Sequence, residues 1–297
     1  MIVRYRKRAE YNMNNAVNDI LLLCPVCKEK LIKDVSNKMY KCINNHTYDI
    51  AKEGYVNLLI SNQKRSKNPG DSKDMVLARI DFLSRGYYKQ LCDKINEIIY
   101  EHLKDYNNGE YNILDLGCGE GYYLTSLKDY IDNKNVQANY YGMDVSKDAV
   151  KYAGKANKTC TWFVGNNFHI PAGDKSIDCI LSVFSPIDID ECNRVLKDNG
   201  IFVRVLPRTD HLIQLRNIIY SEVHLNDKVY KASVDENEYI KESNVTFDIM
   251  LNKEEIVSLL KMTPHYWKTT QENKEKLDSY DSLTITIDMR IGVFKKK

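Results

Sequence analysis

The stretch Asn112-Ile-Leu-Asp-Leu-Gly-Cys-Gly-Glu-Gly-Tyr-Tyr123 joins a short apolar strand, a glycine-rich turn and the start of a predicted helix. The acid Asp115 precedes three alternating glycines, Gly117, Gly119 and Gly121. Glycine lets the backbone turn tightly and lets a ligand approach where a Cβ would block it. The N-terminus of the following helix adds free N–H groups and partial positive charge. The stretch therefore predicts a ligand-binding turn in an α/β sheet.

A second predicted strand, at residues 140–144, also ends in an acid, Asp144. An acid at the tip of the second strand can accept hydrogen bonds from both hydroxyls of a ribose. Ser146 is placed to cap the helix that follows. Alternatively, Asp144 only caps that helix. The glycine-rich turn one strand–helix unit upstream favours the ribose-binding role.

The spacing Asp-x-Gly-x-Gly-x-Gly resembles motif I of S-adenosylmethionine (SAM) methyltransferases. This resemblance implies a SAM site formed by Asp115, Gly117, Gly119, Glu120, Gly121 and Asp144. Methyltransferases usually place a polar residue after the third strand to hydrogen-bond adenine. The third strand is predicted at residues 161–164, so Asn166 is the candidate and Asn167 the next choice.

Two close pairs of metal-binding residues lie near the N-terminus. Cys24-Pro-Val-Cys27 is followed, after a hairpin-like spacer, by Cys42-Ile-Asn-Asn-His46. Cys24, Cys27, Cys42 and His46 can close a tetrahedral zinc site, and so small a segment would hardly fold without a metal. A thioredoxin-type redox CxxC would need a βα context that is absent here. Chance clustering is disfavoured by the paired spacing.

The segment after these pairs, Thr47-Tyr-Asp-Ile-Ala-Lys-Glu-Gly-Tyr-Val-Asn-Leu-Leu59, makes the resemblance specific. A zinc knuckle that leads into it is similar to bacterial 23S rRNA guanine-N1 methyltransferases of the RlmA type. The likeness continues through Asn68-Pro-Gly-Asp-Ser72, Phe184-Ser-Pro186, Glu222-Val-His-Leu225 and Met262-Thr-Pro264. It implies that Tyr88 and His211 contact the cofactor and that the substrate is a hairpin of 23S rRNA. We also allow for a homodimer.

The length of 297 residues, with 43% hydrophobic and 28% charged residues, suits one large or two smaller domains. We predict an α/β fold in which a Rossmann-like SAM-dependent methyltransferase domain with a mostly parallel sheet occupies residues 61–297. A zinc-binding module at 20–60 and a basic extension at 1–19 precede it. The apolar run 177–183 is a predicted buried strand, and alternation over 283–294 predicts one or two antiparallel closing strands.

Charge and hydropathy exclude some functions. The net charge of +2 gives no general affinity for nucleic acid, so any basic surface must be local. Lys64, Arg65 and Lys67 form a basic loop that could meet RNA phosphates or be a plain solvated loop. No apolar run is long enough to span a bilayer, and no signal peptide is visible. We therefore expect a cytoplasmic protein with no membrane partner.

The sequence does not identify the catalytic group. Methylation of guanine N1 requires loss of the N1 proton, and Asp188, Asp190 and His169 are weak candidates for the base. Two other functions remain open. The chain could be a SAM methyltransferase of a small molecule. It could also be a non-catalytic zinc-ribbon RNA-binding protein, although intact Asp115, Glu120 and Asp144 argue against this.

Overall fold

The structure is a computed structural model that describes residues 22–64, 66, 69–104, 110–220 and 238–296. The predicted N-terminal extension, Arg65 and Lys67 of the basic loop, and the segment Glu222–Leu225 lie outside these residues. In the part of the chain that is described, no helix is long and apolar enough to cross a membrane.

A small antiparallel sheet surrounds the predicted metal ligands. Its strands are β1 (Ile32–Asp34), β2 (Met39–Lys41) and β3 (Thr47–Asp49), in that order. Each strand has three residues, so the sheet itself can bury little surface. The cysteine pairs lie at its turns, where Lys28 and Asn45 adopt left-handed backbone conformations. A unit of this size needs a further source of stability.

A second sheet of eight strands forms the centre of the molecule. Its strands are β4 (Tyr55–Asn57), β5 (Tyr111–Leu116), β6 (Ala138–Asp144), β7 (Thr161–Val164), β8 (Ile177–Val183), β9 (Leu196–Pro207), β10 (Glu238–Asn252) and β11 (Ser282–Lys295). The strand order is β10-β11-β9-β8-β5-β6-β7-β4. Strands β4 to β9 pair in parallel, whereas β10 and β11 are antiparallel additions. The order reverses between β5 and β8, which is where α/β sheets bind ligands.

Nine helices of the described residues flank or connect these strands. They are α1 (Lys73–Ser84), α2 (Lys89–Leu103), α3 (Tyr122–Asp132), α4 (Lys147–Ala156), α5 (Ile189–Val195), α6 (Ile213–Ile219), α7 (Lys253–Lys261), α8 (His265–Lys268) and α9 (Gln271–Asp278). Side chains of Ser72 and Ser146 cap α1 and α4. Helix α7 begins with a reciprocal capping box between Asn252 and Glu255.

Different parts of the chain pack against the two faces of the large sheet. On one face, α2, α3 and α7 contribute to a cluster that includes Leu91, Leu127 and Ile256. On the other face, Leu22 and Leu31 of the zinc-binding module share a cluster with Phe163 and Phe202 of the sheet. A parallel sheet must be covered on both faces. The zinc-binding module therefore supplies part of the core of the large domain.

The junction between the two predicted domains is continuous in the structure. Strand β4 precedes the predicted boundary at residue 60, yet its residues pair in parallel with β7, from Tyr55 opposite Trp162 to Asn57 opposite Val164. Leu23 also donates a backbone hydrogen bond of 2.8 Å to the carbonyl of Pro171. The module and the methyltransferase-like sheet thus share a strand edge and a core.

The predicted Rossmann-like, mostly parallel architecture is confirmed. The predicted strands 161–164 and 177–183 coincide with β7 and β8, and the helices after the glycine-rich turn and after Ser146 form as expected. The alternating C-terminal segment forms the single strand β11, and its antiparallel partner β10 comes from residues for which the sequence predicted no strand.

Candidate functional site

The glycine-rich turn after β5 has a conformation that requires glycine. The φ angles of Gly117, Gly119 and Gly121 are 79°, 56° and 88°, all in the left-handed region. A Cβ on Gly117 would lie 2.1 Å from Ser185 Oγ, and one on Gly121 would lie 2.6 Å from the Trp162 ring. The alternating glycines therefore satisfy both the backbone angles and the close packing of neighbouring strand ends.

Asp144 connects this turn to the end of β6. Its Oδ2 accepts a 3.0 Å hydrogen bond from the Gly119 N–H, and its Oδ1 accepts a 2.7 Å bond from the Ser146 N–H. The cap of α4 is the Ser146 side chain, which accepts from Ala149 N, so Asp144 is not that cap. Burial raises the pKa of Asp144. Its place at the tip of the second strand agrees with the expected ribose acceptor, which stays a prediction.

Several acids converge beside the turn around one arginine. Arg79 of α1 lies 2.5 Å from the carboxylate of Asp71 and 4.0 Å from Glu120 Oε2. Asp115 is 1% exposed and Glu120 is 9% exposed. Asp115 Oδ2 and Glu120 Oε2 are buried without a hydrogen-bond partner among the described residues. Together with Asp144, the acids outnumber the nearby cation. Burial raises the pKa of Asp115, Glu120 and Asp144, so a cationic ligand would stabilise their charged forms.

His211, the residue expected over the cofactor, lies against the loop after β8. Its ring stacks on that of Phe184 with centroids 6.1 Å apart and planes 14° from parallel. The backbone N–H of Asp288 approaches His211 Nδ1 at 3.5 Å. Burial, reinforced by the charges of His265 and Arg216, lowers the pKa of His211 to about 3. The imidazole is therefore neutral at physiological pH.

Tyr88 and Asn166 are held by protein contacts. Tyr88 is 2% exposed and packs edge-on against Phe82, with ring centroids 5.9 Å apart. The Asn166 amide donates to the carbonyl of Gln63, and its oxygen accepts from the Phe168 N–H. Gln63 precedes the predicted basic loop, so Asn166 ties the start of that loop to the end of β7. Adenine recognition by Asn166 and cofactor contact by Tyr88 stay predictions.

The four predicted metal ligands meet at one point. The ligand atoms of Cys24, Cys27, Cys42 and His46 all lie within 4.8 Å of one another. The sulfurs of Cys27 and Cys42 are 3.6 Å apart, and His46 Nδ1 lies 3.5 Å from Cys24 Sγ and 3.4 Å from Cys42 Sγ. Tetrahedral zinc with bonds of about 2.0–2.3 Å separates such ligands by roughly 3.5–3.8 Å. The donor set and its spacing fit Zn²⁺.

Neighbouring groups favour the thiolate form of Cys27, whereas burial raises the pKa of the Cys42 thiol. A hydrogen bond from the Asn44 side chain, followed by one from the Glu29 backbone, lowers the pKa of Cys27 to about 6. Tyr48 Oη lies 3.1 Å from Cys24 Sγ. Burial raises the pKa of Tyr48, so its hydroxyl keeps its proton and can donate to the sulfur.

The comparisons with known proteins agree with this geometry. A family model described as RlmA, N-terminal, a zinc ribbon, matches residues 22–67, and a methyltransferase-domain model matches residues 114–204. The chain is 30% identical over 289 residues to a Bacillus subtilis protein named "Putative 23S rRNA (guanine-N(1)-)-methyltransferase YxjB". That match covers 96% of this chain and 100% of YxjB. The chain belongs to this methyltransferase family.

Two further relatives carry related names. A Micromonospora griseorubida protein named "Putative 23S rRNA (guanine-N(1)-)-methyltransferase" is 26% identical over 273 residues, which is 84% of this chain and 87% of that one. The 23S rRNA (guanine(748)-N(1))-methyltransferase of Streptomyces fradiae is 27% identical over 251 residues, which is 83% of this chain and 85% of that one. The resemblance inferred from the sequence is thereby confirmed.

SAM fits the site of this SAM-dependent methyltransferase. SAM carries a sulfonium and an ammonium group, and the site offers the buried acids Asp115 and Glu120, each with one oxygen that lacks a hydrogen-bond partner among the described residues. The end of β6 presents Asp144 next to the turn. Bound SAM supplies an activated methyl group, and the protein has to orient it and exclude water.

The buried acids should make SAM binding dependent on pH. Burial raises the pKa of Glu120 to about 6, while the charge of Arg79 opposes this shift. Glu120 therefore gains its negative charge as the pH rises through about 6, and a cationic ligand favours that charged form. Since a nearby opposite charge moves a carboxyl pKa by about one unit or more, SAM affinity should rise about tenfold between pH 5 and 7.

Calorimetry of SAM binding across this pH range checks the expectation. The Glu120→Gln variant should bind more weakly at pH 7 and show a flatter profile. Glu97→Gln, which removes an exposed acid of α2, serves as the matched control and should keep the wild-type profile. An unchanged pH profile in Glu120→Gln would show that Glu120 does not face the cofactor.

The three weak candidates for a catalytic base are placed differently. The Asp188 carboxylate caps α5 by accepting from the Glu191 N–H at 3.0 Å, Asp190 lies in the first turn of that helix, and His169 is exposed. None of these contacts assigns a base.

Sequence reasoning did not single out Asp71 and Arg79, because their partners Ser146, Glu120 and Met262 are distant in the chain.

Proposed function

We propose that this protein transfers a methyl group from SAM to N1 of a guanine within a hairpin of 23S rRNA. The proposal rests on the match to YxjB along that protein's whole length, which includes both the zinc ribbon and the methyltransferase domain. A SAM site alone would not name a substrate. The combination of both parts in one chain is what favours ribosomal RNA.

The reaction requires two changes at the base. N1 forms a bond to the methyl carbon while the carbon–sulfur bond breaks and its electron pair stays on sulfur. The N1 proton leaves to a base or to water. Because N1 lies on the Watson–Crick edge, the guanine has to be unpaired or rotated out of its helix. The protein's part is to hold the base edge in line with the methyl group.

The anchoring of the segment between the two modules supports a role in meeting RNA beside the cofactor. Its start is held where Asn166 donates to the Gln63 carbonyl, and its end is held where Ser146 Oγ donates to the Asp71 carbonyl at 2.7 Å. Both anchors, Asn166 and Ser146, follow strands of the cofactor sheet. The cations Lys64, Arg65 and Lys67 belong to the residues in between, the last two outside the described residues.

Labelling with tritiated SAM tests the substrate. The protein is incubated with 23S rRNA from cells that lack the gene, and the RNA is then copied by reverse transcriptase. Because a methyl group on N1 blocks base pairing, we expect incorporated label and one new stop at a guanine. Label in small molecules but not in RNA would favour the small-molecule methyltransferase. RNA binding without any label would favour the non-catalytic RNA-binding protein.

Replacing Lys64, Arg65 and Lys67 together by Ala should weaken hairpin binding at low salt. Each lost phosphate contact lowers the slope of log K against log salt by roughly 0.9, so the slope should fall by up to about three. SAM affinity should stay the same. A matched triple variant at Lys89, Lys94 and Lys276, which pair with acids, controls for net charge. If hairpin binding depends on salt in the same way in both triple variants, the segment is a simple linker.

We further propose that the protein acts in the cytoplasm, where ribosomal RNA is made into ribosomes, and that two copies associate. The mass of the protein in solution, measured by light scattering during gel filtration, tests the second point. A mass of about twice the chain mass of 34.6 kDa is expected, and a monomer mass would reject it.

A further inference from the structure

Phe184 has a backbone conformation that its side chain disfavours. It follows directly after β8 with φ at 58°, in the left-handed region where a bulky residue is strained. Leu212, next to His211, has φ at 54° and is equally unusual. Strain of this kind persists only where surrounding bonds enforce it, and it concentrates at binding sites.

Specific hydrogen bonds hold both strained residues. The Phe184 N–H donates to the Val205 carbonyl at 3.1 Å, and the Leu212 N–H donates to the Thr286 carbonyl at 2.8 Å. The Asn167 amide donates to Ser185 Oγ at 2.9 Å and to the Pro186 carbonyl at 2.8 Å, which fixes the loop after Phe184. The backbone at Phe184 and the loop after it are therefore fixed by the structure around them.

This loop lies against the cofactor turn. Ser185 Oγ approaches Gly117 so closely that only glycine fits there. Phe184 thus stands at the carboxyl end of β8, beside the point where the strand order reverses. Phe184 directly precedes Ser185, so it stands one residue from the contact with the cofactor turn.

The Phe184 ring lies nearly parallel to the His211 ring, with centroids 6.1 Å apart, and Phe184 still exposes 42% of its surface. The neutral His211 adds no charge behind the ring. A large apolar side chain that is both exposed and strained contributes little to folding, whereas an open aromatic face suits a planar base. Stacking on an aromatic ring also replaces the stacking that a base loses when it leaves its helix.

We propose that Phe184 is the stacking platform for the guanine that receives the methyl group. The proposal rests on the proposed function and adds to it the residue that holds the base plane. Guanine lies on the open face of Phe184, with His211 on the opposite face. The base is thereby oriented with its N1 edge towards the cofactor turn.

Three variants of Phe184 test this platform with 23S rRNA from cells that lack the gene. Because base–aromatic stacking is worth about 1–3 kcal/mol, Phe184→Leu should lower kcat/KM for RNA roughly 5- to 150-fold. Phe184→Tyr, which keeps an aromatic ring, should stay close to the wild type. Phe184→Gly relieves the backbone strain, so its unfolding temperature should stay within a few degrees of the wild type while its activity falls as in Phe184→Leu.

Two controls distinguish base stacking by Phe184 from a role in SAM binding and from a general effect of removing an exposed aromatic ring. Tyr280→Leu makes a comparable change at another exposed aromatic residue and should leave activity unchanged. The SAM dissociation constant should be unaltered in all Phe184 variants. If Phe184→Leu is as active as the wild type, the stacking platform is refuted while the proposed function stands. The same holds if the Phe184 variants lose SAM affinity in parallel with activity, or if Phe184→Tyr is as inactive as Phe184→Leu. Absence of RNA methylation by the wild type would reject the proposed function and the platform with it.

Discussion

A Cys27→Ser variant is expected to contain almost no zinc, against about one ion per chain in the wild type. Cys27 supplies one of four ligand atoms that lie within 4.8 Å of each other, and three ligands hold the ion far less well. Structural zinc contributes on the order of 10 kcal/mol to small zinc modules. Metal analysis of the purified variant by atomic spectroscopy checks the loss of the ion.

The same variant should also lose stability beyond its own module. Leu22 and Leu31 share a core with Phe163 and Phe202 of the large sheet, so loosening of the module exposes one face of that sheet. Each kcal/mol lost lowers the unfolding temperature by about 2–4 °C in chains of 150–250 residues, and we expect a fall of more than about 10 °C. RNA methylation should fall with it.

SAM binding and a cysteine control distinguish the metal effect from a general defect. Hydrogen bonds from Gly117 and Gly119 to the end of β6 shape the cofactor turn, so the variant should still bind SAM below its unfolding temperature. Cys192→Ser replaces a buried cysteine outside the cluster and should retain its zinc. Normal zinc content in Cys27→Ser would refute the metal site.

Replacing Asp144 by Ala is the second change with a large expected effect. The variant loses the acceptor proposed for the ribose hydroxyls, and it also releases the N–H groups of Gly119 and Ser146 that the carboxylate now holds. Loss of such hydrogen bonds costs about 1–3 kcal/mol, which corresponds to SAM binding weakened roughly 5- to 150-fold. Calorimetry with SAM measures the change directly.

Asp148→Ala provides the matched control because Asp148 lies in the first turn of α4, close in sequence and of the same charge. It should bind SAM as the wild type does. Unchanged affinity in Asp144→Ala would leave Asp144 with a purely structural role in joining the turn to β6. Adenosine, which shares the ribose, should lose affinity together with SAM.

Local sequence patterns predicted most of the sheet and the helices next to the cofactor turn. The apolar run of β8 and the polar cap Ser146 act over a few residues, so their effect can be recognised without knowing the fold. Strand β10 could not be predicted in this way. Its partner β11 is distant along the chain, and residue 250, a methionine, is 72% exposed, so no clean alternation marks it.

Residues of the candidate sites were likewise predictable where a local pattern marks them, and not where distant segments decide their role. The four metal ligands were predictable because zinc fixes their spacing in two short pairs, and the structure brings them together. The turn glycines were predictable because their left-handed angles exclude other residues. The roles of Asp71 and Arg79 were not, since an ion pair beside Glu120 depends on where α1 lies relative to the glycine-rich turn, and no local pattern reports that position.

By itself, the sequence determined the chemistry that this protein can perform: a zinc-binding knuckle, a glycine turn for SAM, and an acid at the tip of the next strand. Tertiary structure alone decided that the zinc module covers a face of the cofactor sheet, and that the strained Phe184 stands beside His211 and the turn. The physical reason is the distance along the chain over which each interaction acts. Ligand spacing and backbone angles are properties of neighbouring residues, whereas burial, strain and stacking arise only when distant segments pack together.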